Sequence, residues 1–401
     1  MRILVAWDDP DQADLMSLYL GAEGNTIKVC MSAEEFTGEN VLGKWDVVFM
    51  SMTFPKSADE GFLYFLKQQE QMPGIPLVLA CRQTEMMGLP KFMTKGLKHY
   101  IVRDDNGDFI FLALTSLESA LAGARAAEAQ KLAALLRDEM DGVRRMQESI
   151  IPKGLTPPPG YAMTARYEPA QVQVVGETPV VMAGGDYYDL FLPDKNQLAL
   201  MVGDASGHGL KACMSIMAMH TLIRMFTGAR YRETAQFVGE INQRLCENSI
   251  VQSGGGFITL FYTAIDTDNH EMHWTSAGHP LALIQDMKKN EVNLIGTDDE
   301  TGLPLGIYPD VEYTSSSVPI PPGTRILIYS DGLTDALPPQ GMTNSDLAFG
   351  TTGVMQALKD CHDLKLDDAL NRLFQTTAEY TGGSGRHDDT SVVLLERFES
   401  A

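Results

Sequence analysis

The chain has 401 residues, 44% hydrophobic and 21% charged, the balance of a folded globular protein with core enough for two or three domains. Its 53 acidic side chains against 31 basic ones give a formal charge of −22, a field that repels nucleic acid and anionic membrane and excludes both as partners. The scattered cysteines Cys30, Cys81, Cys213, Cys246 and Cys361 form no CxxC pair or disulfide framework and read as reduced thiols of a cytoplasmic protein. No apolar run approaches ~18 residues, and MRILVAWDDP enters a strand directly rather than a signal peptide, so no membrane segment is expected.

Residues 2 to about 112 alternate short apolar strands with amphipathic helices. Arg2 to Ala6, Thr26 to Cys30, Asp46 to Met50, Pro76 to Cys81 and Tyr100 to Val102 are the strand candidates, which predicts a doubly wound α/β parallel sheet. Its carboxyl ends, where such sheets bind ligands, carry Asp8, Asp9, Ser51, Ala80 and Arg103. This set resembles a response-regulator receiver domain with its chemistry removed. Asp8 and Asp9 are retained, but Ser51 in VVFMSMTFP stands at the phospho-acceptor position and Ala80 has no hydroxyl for a phosphoryl oxygen. Arg103 keeps the charge of the usual Lys without its compact ammonium. The resemblance implies a pseudo-receiver over 1–112 that docks a partner or binds a signal. Phosphorylation of Ser51 itself is the weaker alternative to a small residue at the core edge.

From about Asp108 to Ile150 the pattern is one long helix. Leu114, Leu117, Leu121, Ala124, Leu132, Leu135, Val143, Met146 and Ile150 lie near one stripe at 3.6-residue spacing, with Glu128 interrupting it and a stutter-like gap between 124 and 132. Gly123 and Gly142 each weaken it by roughly 1 kcal/mol relative to Ala. A linker over 113–151 that forms a coiled-coil homodimer is expected; a helix folded back on its own receiver is the alternative. The proline-rich stretch from Pro152 ends it, and 152–401 forms the second domain.

Strands are expected at Tyr161 to Tyr167, Phe257 to Ile265, Glu271 to Ser276, Leu281 to Gln285, Glu312 to Ser316, Thr324 to Tyr329 and Ser391 to Glu396. Helices are expected at Ala212 to Met225, Glu233 to Ser249, Gly353 to Lys359 and Leu366 to Tyr380. This is an α+β two-sheet sandwich flanked by helices. The methionines of ACMSIMAMHTLIRM read as core packing rather than a cofactor box.

At the centre lies GGDYYDLFLPDKNQLALMVGDASGHGL, residues 184 to 210. Tyr187 to Leu192 and Gln197 to Val202 read as a hairpin joined at Pro193-Asp194-Lys195-Asn196, which brings Asp186 and Asp204 together. Close carboxylates repel unless a cation lies between them. Asp331 after RILIYS and Asp388 before TSVVLL stand at further strand edges. A lone strand-end Asp is most often a turn or cap residue; four of them in separate strand-edge contexts make a hard-oxygen site suited to Mg²⁺ or Mn²⁺. Two such ions, typically ~3.5–4 Å apart, share a water, lower its pKa and aim it at phosphorus.

The motifs GGDYYD, VGDASGHG, SAGHP, YSDGLTDA and HDDTSVVLL, in this order, resemble the SpoIIE/RsbU branch of the metal-dependent type 2C serine/threonine protein phosphatases. The resemblance implies a di-metal centre of two divalent cations, Mn²⁺ or Mg²⁺, on Asp186, Asp204, Asp331 and Asp388, with the Ala205 carbonyl as a further ligand and Asp204 as the bridge. It implies hydrolysis of phosphoserine or phosphothreonine on a STAS-domain anti-sigma-factor antagonist in a partner-switching circuit, controlled through the linker helix. Asp335 stands where Glu is usual, and Asp-Asp-Thr-Ser at 388–391 where Asp-Asp-Met-Thr is commoner. No HCx₅R loop suggests a cysteine mechanism. His208 in GHG and His279 in AGHP are candidate general acids, though Gly-flanked imidazoles more often hold backbone. Arg386 or His387 could steer phosphate, and Asp189 and Asp335 would support the ligands. The rival reading is an adaptor that binds a signalling partner and hydrolyses nothing; such scaffolds usually lose the metal acids retained here.

Overall fold

The computed structural model describes the chain except for residues 22–23, 43, 105, 153, 155, 173–179, 182–183, 208, 227–230, 250, 252–255, 339–347, 383–387 and 399–401. It divides into two compact units, 1–137 and 138–401. In the first, the strands β1 (Arg2–Ala6), β2 (Thr26–Cys30), β3 (Val47–Ser51), β4 (Leu77–Arg82) and β5 (His99–Arg103) form a parallel sheet in the order β2-β1-β3-β4-β5. Between them come α1 (Pro10–Leu20), α2 (Ala33–Leu42), α3 (Ala58–Gln71) and α4 (Leu89–Met93). Successive strand residues point to opposite faces. Leu4, Val48 and Met50 therefore pack with Phe36, Phe65 and Phe92 of α2, α3 and α4. Ile3, Val5 and Phe49 pack with Met16 and Leu20 of α1 and with Ile110, Ala113 and Leu117. The sheet is doubly wound, and each strand lies within one residue of its expected place.

Those last three residues open α5 (Ile110–Ile150), a helix of 41 residues that starts in the first unit and ends in the second. By length and composition alone α5 qualifies as a membrane span, unlike the expectation from the apolar runs. Ile110, Ala113, Leu117 and Ala120 are buried against the sheet, whereas Phe111 and Leu112 and, further on, Leu132, Leu135 and Leu136 are more than half exposed.

The second unit contains β6 (Tyr161–Glu168), the short pair β7 (Gln171–Val172) and β8 (Val180–Val181), β9 (Asp186–Asp194), β10 (Gln197–Ala205), α6 (Leu210–Met225) and α7 (Thr234–Glu247). There follow β11 (Ile258–Asp266), β12 (Glu271–Ala277), β13 (Leu283–Asp286), β14 (Glu291–Leu294), β15 (Thr301–Gly302), β16 (Ser316–Pro319), β17 (Thr324–Tyr329), α8 (Gly350–Asp360), α9 (Leu366–Tyr380) and β18 (Thr390–Arg397). One sheet runs β15-β12-β11-β10-β9 with β16 on β12, the other β14-β13-β17-β18-β6. They face each other through Leu198, Leu200, Val202 and Trp274 on one side and Ile326, Ile328, Val393 and Leu395 on the other. The outer face of the first, with Ala199 and Met201, packs under Ile216 and Met219 of α6 and Phe237 and Ile241 of α7. That of the second, with Leu327 and Leu394, packs under Leu358 of α8 and Leu370 and Leu373 of α9.

Besides the two-residue strands β7, β8 and β15, which were not expected, two elements differ from expectation. The strand placed at Glu312 to Ser316 is instead Ser316–Pro319, because pairing of Ser316 with Trp274 and Pro319 with Glu271 sets its register. Glu291–Leu294 is a strand outside the expected set; its Glu-Val-Asn-Leu alternation is too short to stand out, only Val292 is buried, and pairing with β13 holds it.

Candidate active site

The alternation that builds the sandwich also builds the site. In β10, Leu198, Leu200 and Val202 face the opposing sheet, so Asp204, the next of that parity, faces inward too. In β9 Tyr188 is inward and Asp186 shares its face. Ile326 and Ile328 carry the parity to Ser330, and Leu395 and Val393 carry it back through Ser391 to Asp389. β10 and β17 end where β9 and β18 begin, so these side chains meet at one end of the sandwich.

Asp186 lies opposite Asp204. The neighbouring residues are joined by a bond of 2.9 Å from the Ala205 N–H to the Gly185 carbonyl, which makes 186/204 a non-hydrogen-bonded pair, the kind whose side chains come closest. Gly185 has to be glycine, since a Cβ there would stand 2.5 Å from the Ala205 oxygen and 2.9 Å from Asp204 Oδ1. Gly332 is constrained likewise, by the Asp389 carbonyl at 1.8 Å from its would-be Cβ.

The carboxylates oppose one another's ionisation. Burial, then Asp204 and Asp389, hold Asp186 well above the ordinary carboxylate range. Burial, then Asp331, Asp388 and Asp389, push Asp204 up to about 8. Burial, then Asp335 and Asp388, push Asp331 to about 6. Asp186 Oδ2 accepts from Ser330 Oγ at 2.6 Å, while Asp186 Oδ1 and Asp331 Oδ1 are buried without a hydrogen-bond partner. Oxygen donors that repel one another, two of them orphaned, fit a divalent cation. Among the described residues no group of three His, Cys, Asp or Glu side chains stands close enough to enclose one ion.

Asp389 was not singled out in the sequence. It is buried, and it accepts from the Gly185 N–H at 2.6 Å, the Ala170 N–H at 2.8 Å and the Tyr167 hydroxyl at 3.4 Å. Its parity with Ser391 and Val393 places it on the inner face, but nothing in the sequence reveals its contact with Gly185. Asp189, expected beside the metal ligands, is occupied on the helix side of β9: Tyr187 donates to it at 2.8 Å and Arg224 at 2.7 Å. His279 is buried, which drives it down to about 3 against the pull of the Tyr329 carbonyl. Its Nε2–H donates to that carbonyl at 3.1 Å and its Nδ1 accepts from Thr259 at 2.8 Å, so one nitrogen holds β17 and the other β11. Asp335 accepts from Thr334 at 3.1 Å. His208, Arg386 and His387 lie outside the described residues.

At the carboxyl ends of the first unit's strands, Arg103 is paired with Asp8. Its Nη1 donates to Asp8 Oδ1 at 2.7 Å and its Nη2 to Asp8 Oδ2 at 3.0 Å, and its guanidinium lies 5.1 Å from the Trp7 ring. Thr53, absent from the sequence reading, donates to Asp8 at 2.5 Å and contacts Ser51 at 3.2 Å. Burial alone would raise Asp8, but Arg103 and Thr53 bring it to about 2. Asp9 caps α1 by accepting from the Asp11 and Gln12 N–H groups, and Ala80 lies beside Ser51 in the sheet. A cavity of about 460 Å³ lined by Gln68, Lys98, His99 and Gly123 opens at the amino ends of these strands, away from Asp8.

Two packed sheets with helix pairs outside and acids gathered at one end define the type 2C phosphatase fold. The SiaA-PP2C domain of Pseudomonas aeruginosa shares it with a TM-score of 0.53 at 20% identity, over 68% of this chain and 100% of that one. The chain belongs to the stage II sporulation protein E (SpoIIE) family, whose model matches residues 194–398. It is 26% identical over 286 residues to Protein IcfG of Synechocystis, across 65% of this chain and 42% of that one. It is 29% identical over 231 residues to the phosphoserine phosphatase RsbU of Bacillus subtilis, across 55% and 61%. The chain thus spans about half the length of the curated relatives it matches.

Proposed function

We propose that the second unit is a divalent-cation-dependent phosphatase that removes phosphate from serine or threonine of a partner protein in the cytoplasm. The observation that carries this is the meeting of Asp186, Asp204, Asp331 and Asp388 in one mutually repelling group, with two buried oxygens that no protein donor satisfies. Two Mn²⁺ or Mg²⁺ ions held there, with the Ala205 carbonyl, would neutralise phosphate charge and supply a water of lowered pKa.

The chain's own groups do the placing. Asp204 has Asp186, Asp331 and Asp388 all as close neighbours, which suits a ligand shared by two ions. Ser330 and Asp389 fix the Asp186 carboxylate and the Gly185 backbone. His279, neutral and doubly committed, positions the turn before Asp331 and does not move a proton.

A phosphorylated STAS-like anti-sigma-factor antagonist is the proposed substrate; it follows from the family and from the phosphoserine phosphatase RsbU among the relatives. The first unit, its receiver-like site closed by Arg103, would dock a partner or bind a signal rather than take a phosphoryl group. The exposed Leu132 and Leu135 of α5 support a homodimer through residues 113–151. A rival reading, an adaptor that binds a phosphoprotein without hydrolysing it, draws on the absence of a closed single-ion cage among the described residues. Purified chain with Mn²⁺ and an aryl phosphate or a phosphorylated STAS protein, beside Asp204→Asn, separates them. Turnover lost in the variant supports the phosphatase; none in either, with the phosphoprotein still bound, supports the adaptor.

A further inference from the structure

We infer that Gln147, three residues before the end of α5, is a positioning residue for the proposed reaction, because its carboxamide clamps the backbone that presents Asp186. The inference rests on the phosphatase reading and adds to it a residue outside the acidic cluster. Gln147 is 1% exposed, and both ends of its amide are used. Its Oε1 accepts from the Gly184 N–H at 2.8 Å and its Nε2 donates to the Asp186 carbonyl at 3.1 Å.

The need for such a clamp follows from the sheet. Among the described residues β9 is an edge strand, and since 186/204 is a non-hydrogen-bonded pair, the backbone groups of Asp186 point away from β10 to a side where no described strand meets them. Buried groups of this kind must find partners. Gln147 supplies one donor and one acceptor from a single side chain, as a neighbouring strand would. With Asp389 holding the Gly185 N–H at 2.6 Å and Ser330 holding the Asp186 carboxylate at 2.6 Å, the three residues 184–186 are fixed from three elements. A carboxylate meant to share a cation has to be held against its neighbours' repulsion, and Gln147 fixes the main chain from which Asp186 reaches. Its place in the last turn of α5 ties that helix to the site.

The test uses the full chain with Gln147→Leu, which removes both bonds, and Gln147→Asn, which keeps the carboxamide one methylene too short to span them. Mn²⁺ binding is read by calorimetry, amide exchange at Gly184 by NMR or mass spectrometry, and turnover as a function of Mn²⁺. Both variants are expected to bind Mn²⁺ at least tenfold more weakly, to exchange Gly184 faster, and to regain much of their turnover in excess Mn²⁺, which a merely misfolded site would not do. If either folded variant keeps wild-type Mn²⁺ affinity and Gly184 protection, the positioning role is overturned. Wild-type chain that takes up no Mn²⁺ overturns the phosphatase reading itself, and this inference with it; that failure shows in the wild-type arm, the former only in the variants.

Discussion

Ser330 Oγ donates to Asp186 Oδ2 at 2.6 Å across 144 residues of chain, linking the residue that follows β17 to the first residue of β9. The same hydroxyl accepts from the Ser391 N–H at 2.9 Å, so it joins β18 to the acid as well. Ser330→Ala removes a side-chain donor of Asp186 and leaves the buried Ser391 N–H unpaired, a cost of about 1–3 kcal/mol. The variant is expected to fold with a Tm several degrees lower and to bind Mn²⁺ roughly tenfold more weakly, read by calorimetry. Unchanged affinity would remove Ser330 from the site.

Asp204→Asn is expected to move stability in opposite directions with and without metal. Burial and three neighbouring acids push Asp204 up to about 8, so in chelator it is a buried group under strain, and a neutral isostere relieves that strain. The melting temperature in EDTA should rise, whereas the stabilisation by Mn²⁺, about 2.7 kcal/mol at a hundredfold excess over Kd for the wild type, should vanish. A variant that still gains stability from Mn²⁺ would show that the ions bind elsewhere.

The parts of this site that were legible in the sequence are those that depend on one strand at a time. Asp186, Asp204, Asp331 and Asp388 each stand at the border of an apolar run, and period-two alternation suffices to orient the first two. Asp389, Ser330 and Gln147 were not legible, because each matters through a partner on another element: Asp389 through Gly185, Ser330 through Asp186, Gln147 through Gly184. In the first unit the strands were evident within a residue. The closure of its ligand end was not, because Arg103 reads as a weakened Lys until its guanidinium is seen on both oxygens of Asp8.

That ion pair gives the first unit an acid limit. Asp8 is depressed to about 2 from an ordinary 3.8, so it contributes stability above pH 3.8 that is lost as pH falls through 2, roughly 2 kcal/mol in all. Asp8→Asn leaves the fully buried Arg103 side chain without its carboxylate. The variant should be markedly less stable at pH 7 and approach the wild type near pH 2, followed by tryptophan fluorescence during urea unfolding. A constant difference across that range would mean that Asp8 is not ionised in the folded chain.

Leu132 and Leu135, 56% and 58% exposed, predict a dimer contact. Leu132→Glu with Leu135→Glu should turn a dimeric chain into a monomer by light scattering or sedimentation while its thermal unfolding stays cooperative. A wild-type chain that is monomeric at all accessible concentrations would exclude the coiled coil.

Glycine is required at Gly185 and not at Gly142, although both look like routine small residues. A Cβ at 185 meets the Ala205 oxygen at 2.5 Å, and that oxygen is the proposed backbone ligand; at 142 the nearest atom is the tip of Arg145 at 3.9 Å. Gly142→Ala lies inside α5, where alanine is favoured over glycine by about 1 kcal/mol, so it should raise the Tm and leave Mn²⁺ binding alone. Gly185→Ala forces β9 and β10 apart at their closest point, costs about 1–3 kcal/mol as overpacking does, and should abolish Mn²⁺ uptake because Asp186, Asp204 and the 205 carbonyl move together. Parallel melts and calorimetry of the two variants check both signs at once, and a Gly185→Ala chain with normal metal uptake would show that this tight strand contact is not what sets the site.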